Sequence, residues 1–238
     1  MTDADDLLPN RMPTASRPLL GVTVLLVEDS RFASEAVRLM CLRSGARIRR
    51  ADSLANARRH LRIYRPTCIL VDLGQPDGSG EDLLAEVAGA SPPIDVILAT
   101  SGDPDAGPRA LAAGARAFLP KPLTSLAAFQ QTIVSALPPD RRPSGPRPTP
   151  SAEVAPDSIA LRDDLAAARR HLSDPREEGT VDYVARFLAG LAHSAGDRAL
   201  GDAVDQLMAR RAAGQSGGPE LASLSALLEH RIAAHAGL

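Results

Sequence analysis

Lysine is nearly absent from this chain: Lys121 is the single lysine among 27 basic residues, and every other one is an arginine. Tryptophan is missing and aromatic residues make up only 3%, so any hydrophobic core must be built from alanine, leucine, valine and isoleucine. The net charge of −2 excludes a global basic field for nucleic acid and an acidic excess that would favour disorder. With 238 residues, 44% of them hydrophobic, the chain is long enough for one large domain or two small ones.

Cysteines and long hydrophobic runs are also scarce. Cys41 falls in a helix pattern and Cys68 in a strand pattern, which favours two buried reduced thiols over a disulfide. The first residues lack the basic-then-apolar order of a signal peptide, and the early apolar stretch 19–27 is too short to cross a bilayer. We therefore expect a cytoplasmic protein with no membrane partner.

The pattern of apolar residues divides the chain into four parts. We predict a flexible tail at 1–18, a domain of alternating strands and helices at 19–137, a proline-rich linker at 138–156 and a helical bundle at 157–238. In the first domain the strand patterns are 22–27, 47–51, 68–71, 95–99 and 117–119. The helix patterns are 31–43, 54–64, 80–90, 108–113 and 125–137. This alternation predicts an open parallel α/β sheet.

The linker and the bundle have their own compositions. The linker contains seven prolines and three arginines, which predicts a basic, semi-extended segment. At about 3.1 Å per residue, it could separate two domains by several tens of ångströms. Beyond it, helical patterns at 157–172, 180–195, 198–213 and 219–236 are separated by glycines, which predicts an antiparallel all-α bundle.

Polar residues follow four of the five predicted strands, at the edge where ligands bind in open parallel sheets. They are Glu28 and Asp29 after the first strand, Asp72 after the third, Thr100 and Ser101 after the fourth, and Lys121 after the fifth. Each alone could simply solvate a strand end or cap a turn, but together they predict one pocket. Three close carboxylates need a cation, and hard oxygen ligands favour Mg²⁺. An aspartate can accept a phosphoryl group, and a solitary lysine suggests a position that needs a compact ammonium.

These motifs resemble the receiver domain of bacterial two-component response regulators. The resemblance covers 21–137 and rests on Glu28-Asp29, Asp72 with Pro76 and Gly78, Thr100-Ser101, Phe118 and Lys121-Pro122. It implies a flavodoxin-like sheet with strand order 2-1-3-4-5. It also implies a histidine kinase or phosphotransfer protein as partner, with self-catalysed phosphorylation and dephosphorylation as the chain's own chemistry.

The same resemblance implies a role for each pocket residue. Asp72 would be the phosphoacceptor, and the Mg²⁺ ion would bind Asp29, Asp72 and the backbone carbonyl of Gly74, with Glu28 acting partly through water. Lys121 would contact the phosphoryl group. Thr100 would swing towards it beside Ser101, and Phe118 would turn inward as the switch residue.

The chain departs from the family pattern at several points. Gln75 stands where the family often has methionine, and Gly74 and Gly102 place no bulky side chain over the phosphoryl group, which predicts a short-lived phosphoryl state. Two prolines in 102–108 predict that the fourth helix is short and mobile.

Three kinds of output are open for the bundle. A DNA-binding output is disfavoured, because 157–238 contain nine arginines, no lysine and twelve acidic residues, a net charge of −3. An enzymatic output is disfavoured because no HExxH motif, HD pair or glycine-rich phosphate loop occurs there.

The third output is a phosphotransfer-like or protein-interaction bundle. His193 lies opposite the apolar face of its helix, with Ala189 and Gly190 one turn before it, and weakly resembles the histidine of a phosphotransfer domain. The lysine and glycine that usually follow such a histidine are absent, so an ordinary surface histidine remains an alternative. We expect a response regulator that acts through protein contacts without binding nucleic acid. The alternative is a transcriptional regulator with an unrecognised DNA-binding C-terminal domain.

Overall fold

The computed structural model describes residues 12–103, 105–144, 150, 153–173 and 180–235. Its five-stranded sheet is formed by β1 (Thr23–Val27), β2 (Arg47–Ala51), β3 (Cys68–Asp72), β4 (Val96–Ser101) and β5 (Ala117–Pro120). All pairings are parallel, in the order β2-β1-β3-β4-β5. The predicted α/β fold and its strand order 2-1-3-4-5 are therefore confirmed.

Five helices connect and follow these strands: α1 (Arg31–Ser44), α2 (Leu54–Ile63), α3 (Gly80–Ala88), α4 (Ala106–Ala112) and α5 (Leu126–Ala136). Four of them begin after a serine whose hydroxyl accepts a hydrogen bond from a backbone N–H of the first turn. These caps are Ser30, Ser53, Ser79 and Ser125. The fourth helix is short as predicted. It begins two residues earlier than expected, because Pro108 is tolerated in a first turn, where its missing N–H has no helical acceptor.

The sheet is covered on both faces, and this is why its central strands are continuous apolar runs. On one face Leu26 and Leu70 pack with Phe129 and Ile133, and on the other Ile69 packs among the side chains beneath α2 and α3. Cys41 and Cys68 are buried free thiols, as the sequence predicted.

The C-terminal part contains α6 (Ser158–Ser173), α7 (Thr180–Ala195), α8 (Arg198–Ala212) and α9 (Gly218–Ala234), close to the predicted bounds. Their core includes Leu165, Leu188, Leu207 and Leu228. Phe32 of α1 belongs to this same core, so the bundle packs against the receiver-like domain. None of the helices in the described parts of the chain is long and apolar enough to cross a membrane.

The linker does not act as an extended spacer in its described parts. Residues Pro139–Arg141 form one turn of 3₁₀-helix, and Arg141 pairs with Asp95 at 2.7 Å. At the other end Val154 is only 1% exposed, and its N–H donates to the carbonyl of Thr124 at 2.9 Å. The expected separation of several tens of ångströms is therefore wrong, because Arg141 forms an ion pair with the sheet domain and Val154 packs in the core of that domain. Residues 145–149 and 151–152 lie outside the described residues.

The predicted tail ends in contact with the sheet domain. Pro18 is buried, and the N–H of Leu19 donates to the carbonyl of Ser44 at 3.0 Å. The rest of the predicted tail up to residue 11 lies outside the described residues.

Candidate functional site

The register of the sheet brings the predicted polar residues to one edge. Asp72 lies directly beside Thr100, and Ser101 lies beside Pro120, immediately before Lys121. Val27, paired with Val71, places Glu28 one residue beyond the end of β1. The carboxyl ends of four strands therefore meet in one pocket, as the sequence predicted.

Lys121 is enclosed by carboxylates. Its Nζ lies 2.8 Å from Oε2 of Glu28 and 3.2 Å from Oδ2 of Asp72, and its side chain is 3% exposed. One carboxylate oxygen each of Glu28, Asp29 and Asp72 lies within 4.8 Å of the others. Three carboxylates and one ammonium leave two negative charges when all are ionised, which is the charge that a divalent cation would neutralise.

Burial and charge crowding raise the pKa values of Asp29, Glu28 and Lys121. Burial raises the pKa of Asp29 to about 6, helped by the charge of Asp72 and opposed by a hydrogen bond from Tyr183. Burial likewise raises the pKa of Glu28, against the opposing charge of Lys121. For Lys121 burial acts to lower the pKa, but the negative charges of Asp72 and Glu28 outweigh it and raise the pKa above its ordinary value.

Two backbone contacts hold the loops that carry these carboxylates. The guanidinium of Arg50 donates to the carbonyls of Glu28 and Asp29 at 2.9 and 2.5 Å. At the start of α3, a Cβ on Gly80 would lie 2.7 Å from the Cα of Leu73 and 2.8 Å from the carbonyl oxygen of Asp72. Only glycine therefore allows α3 to approach the end of β3 this closely.

The other predicted residues also lie at this edge. Thr100 is fully buried, and its hydroxyl has no hydrogen-bond partner among the described residues. The hydroxyl of Ser101 accepts from the N–H of Asp103 at 3.1 Å. A Cβ on Gly74 would lie 3.7 Å from Oδ2 of Asp72, and Phe118 is partly buried against the core on the α2–α4 face.

The bundle covers this edge of the sheet. The hydroxyl of Tyr183 on α7 donates to Oδ2 of Asp29 at 2.9 Å. His193 is exposed as predicted, but its Cβ would lie 3.2 Å from a Cβ on Gly102. A cavity of about 900 Å³ lies between the domains and is lined by Asp72 and Lys121 on one side and His193 on the other. The face predicted to point to solvent therefore points towards the pocket.

Sequence reasoning missed three groups of this site. Tyr183 and Asp164 occupy polar helix positions that resemble ordinary surface residues, although Tyr183 is one of only two tyrosines in the chain. The third is a small antiparallel hairpin, Gly74–Gln75 with Gly78–Ser79, whose turn residue Asp77 accepts from the N–H groups of Leu54 and Ala55. The sequence Pro76-Asp77-Gly78 is typical of a turn and was the visible indication of this hairpin.

Comparison with known proteins identifies the family of the domain that carries this pocket. Residues 24–133 match the family model described as the response regulator receiver domain. This part of the chain is therefore a response regulator receiver domain. The weak resemblance of the bundle to a histidine phosphotransfer domain is not shown by any of these comparisons.

The sequence matches to two curated relatives are longer than the receiver domain. The chain is 28% identical over 187 residues to the protein-glutamate methylesterase/protein-glutamine glutaminase 1 of Vibrio cholerae, a match that covers 71% of this chain and 48% of the relative. It is 29% identical over 178 residues to the KDP operon transcriptional regulatory protein KdpE of Escherichia coli, covering 73% of each. The chain thus spans about half of the methylesterase. Among solved structures, the chemotaxis response regulator CheY4 of Vibrio cholerae is 22% identical, with a TM-score of 0.45 over 49% of this chain and 98% of that chain.

Proposed function

We propose that this protein is a response regulator that is phosphorylated on Asp72 with the help of Mg²⁺ and signals through protein contacts. The observation that carries the proposal is the position of Asp72. It is 6% exposed, its Oδ2 lies 3.2 Å from Nζ of Lys121, and two further carboxylates lie within 4.8 Å. A receiver domain in this part of the chain supports the same assignment.

The donor set suits magnesium. Lys121 contacts Glu28 and Asp72, whereas Asp29 is held by a neutral hydroxyl, so the cluster keeps an excess of negative charge. Carboxylate and carbonyl oxygens are the ligands that Mg²⁺ prefers. Asp29, Asp72 and the carbonyl of Gly74 would hold the ion, with Glu28 acting through water. The ion would supply charge neutralisation for the incoming phosphoryl group.

The residues define the rest of the chemistry. A carboxylate oxygen of Asp72 attacks the phosphorus of the donor, the bond from phosphorus to the donor's leaving group breaks, and an aspartyl phosphate forms. Lys121 exchanges its contact with Asp72 for a phosphoryl oxygen. The unpartnered hydroxyl of Thr100 turns to donate to another, leaving space into which Phe118 moves.

The donor of the phosphoryl group would be a histidine kinase or a phosphotransfer protein. The net charge of −3 over 157–238 favours a protein over DNA as the target of the output. A transcriptional role through an unrecognised DNA-binding surface is the alternative, and the likeness to KdpE favours it. Retention of the full chain on DNA at low salt, lost as salt rises, would support that alternative. A cytoplasmic location remains a prediction.

His193 is a second candidate for phosphoryl chemistry, because it lines the same cavity as Asp72. Phosphotransfer between the two residues would need the imidazole and the carboxylate of Asp72 to come within reach of one phosphoryl group. A degenerate bundle that only docks remains the simpler interpretation, since the expected lysine and glycine are missing.

The test is to incubate the full chain with Mg²⁺ and acetyl phosphate and to weigh the intact protein. We expect one phosphate adduct in the wild type and in His193→Ala, and none in Asp72→Asn. An equal adduct on Asp72→Asn would contradict the assignment. An acid-labile, base-stable adduct that disappears in His193→Ala would instead make His193 a phosphoacceptor.

A further inference from the structure

The bundle is anchored to the receiver domain by an aromatic side chain. Phe32, on the first turn of α1, is only 7% exposed and packs among Leu165, Leu188 and other side chains of the bundle core. A phenylalanine buried in this way contributes several times more to an interface than a surface ion pair does. Phe32 is therefore part of the hydrophobic core of the bundle, although it lies on a helix of the receiver domain.

A buried carboxylate beside this anchor gives the contact its orientation. Oδ2 of Asp164 on α6 accepts from the hydroxyl of Ser30 at 2.9 Å and from the N–H of Phe32 at 3.0 Å. Asp164 is 5% exposed, and it lies at the positive end of the dipole of α1. Since an unpaired buried carboxylate is costly, α6 has a strong preference for this end of α1.

The third contact between the bundle and the receiver domain involves Asp29, a ligand of the proposed metal site. Tyr183 on α7 donates its hydroxyl to Oδ2 of Asp29, the one carboxylate of the cluster that Lys121 does not contact directly. A phenol is protonated at neutral pH, so the hydroxyl of Tyr183 is a donor and Asp29 is its acceptor. The hydrogen bond joins the bundle to a residue that Mg²⁺ also needs.

We propose that the α6–α7 face of the bundle is a receiver-binding surface, which in this chain closes over the chain's own phosphorylation site and competes with Mg²⁺ for Asp29 through Tyr183. The inference rests on the proposed function of the pocket. Mg²⁺ requires close, nearly octahedral oxygen ligands, and a carboxylate that turns to the ion offers a weaker acceptor to the phenol. The cavity of about 900 Å³ has room for a small phosphodonor. A folded donor protein must displace the bundle to reach Asp72.

The first experiment measures Mg²⁺ binding to the full chain by calorimetry. Tyr183→Phe keeps the packing of the ring but removes the donor, so we expect Mg²⁺ to bind about threefold to tenfold more tightly, the range that one hydrogen bond supports. Tyr64→Phe is the matched control, because it removes the other tyrosine hydroxyl, for which the described residues offer no hydrogen-bond partner. It should bind Mg²⁺ like the wild type.

Each other outcome has a distinct meaning. Equal affinity in Tyr183→Phe and wild type would overturn the competition. Weaker binding in Tyr183→Phe would overturn it too, because Tyr183 would then be a positioning residue that supports Asp29 as a ligand. Absence of Mg²⁺ binding in every variant would refute the proposed function itself.

A second experiment traps the closed arrangement. A Cβ on residue 102 would lie 3.2 Å from Cβ of His193, close to the separation in a disulfide, while Cys41 and Cys68 are buried. Under mild oxidation, the Gly102→Cys, His193→Cys double variant should form an intramolecular cross-link that neither single variant forms. Mg²⁺ with beryllofluoride should slow the cross-linking at least threefold. Failure to cross-link would refute docking, and an unchanged rate would refute competition.

Discussion

Lys121 is the residue at which composition and geometry agree most closely. The chain uses arginine at every other basic position, and the structure shows a site where a compact ammonium fits between two buried carboxylates. Arginine would bring a planar fork of greater volume into a position where the lysine side chain is only 3% exposed. The scarcity of lysine is thus informative, because Lys121 occupies the one basic position at which arginine cannot replace lysine.

Replacing Lys121 with arginine tests this interpretation. We expect Lys121→Arg to slow phosphorylation by acetyl phosphate at least tenfold and to lower the free energy of unfolding by about 1–3 kcal/mol, as overpacked buried sites do. Mass spectrometry against time and urea unfolding measure the two effects. Arg141→Lys, an exchange at an exposed ion pair, is the control and should change neither quantity. Normal phosphorylation of Lys121→Arg would mean that the single lysine survives by chance.

The approach of α3 to the end of β3 determines where the carboxylate of Asp72, the proposed phosphoacceptor, lies. Gly80 begins α3, and the space a side chain would need is already filled by the backbone of Asp72 and Leu73. A flexible side chain could move aside, but a backbone at the end of a central strand cannot do so without moving Asp72. The position of the helix and the position of the carboxylate are therefore coupled.

Alanine at this glycine should disturb both stability and chemistry. We expect Gly80→Ala to cost about 1–3 kcal/mol of unfolding free energy and to reduce phosphorylation by acetyl phosphate. Gly190→Ala is matched to it, since a Cβ on that helical glycine of α7 would meet nothing within 4 Å. Urea unfolding should show this second variant unchanged or more stable by about 0.5–1 kcal/mol. Similar unfolding curves for the two variants would contradict the close approach at Gly80.

One side chain joins the two domains. Phe32 lies in the receiver part of the sequence, but it is buried in the hydrophobic core of the bundle, which α6 to α9 form. Val154 returns the chain to the receiver core. The two parts should therefore unfold together.

Removal of the anchor measures this coupling. We expect Phe32→Ala to lower the stability of the full chain by about 3–5 kcal/mol and to speed amide hydrogen exchange in α6 and α7 as well as in α1. Phe129→Ala removes another buried phenylalanine, this one from the receiver core, and should speed exchange in α5 and the sheet first. If exchange in α6 and α7 responds equally to both variants, Phe32 has no special role in holding the bundle.

Most of the pocket could be predicted, because period-two and period-3.6 patterns locate strand ends and a parallel sheet gathers them at one edge. Asp72 and Lys121 needed no knowledge of tertiary contacts. The roles of Tyr183 and Asp164 could not be predicted, since each depends on where α6 and α7 pack relative to α1. The prediction of an extended linker was wrong for a related reason. The prolines indicate local stiffness, whereas the burial of Val154 depends on the core of the receiver domain, which other parts of the chain form.

The shared position of Phe32 also restricts how such a protein could be recombined. Receivers are commonly thought of as interchangeable units that can be joined to different outputs at the linker. Here a new output joined at residue 138 would leave an aromatic ring without its neighbours, and this bundle joined to another receiver would lack the ring that completes its core. The two halves are therefore expected to be inherited as a pair, with substitutions at Phe32 accompanied by changes at the side chains that surround it.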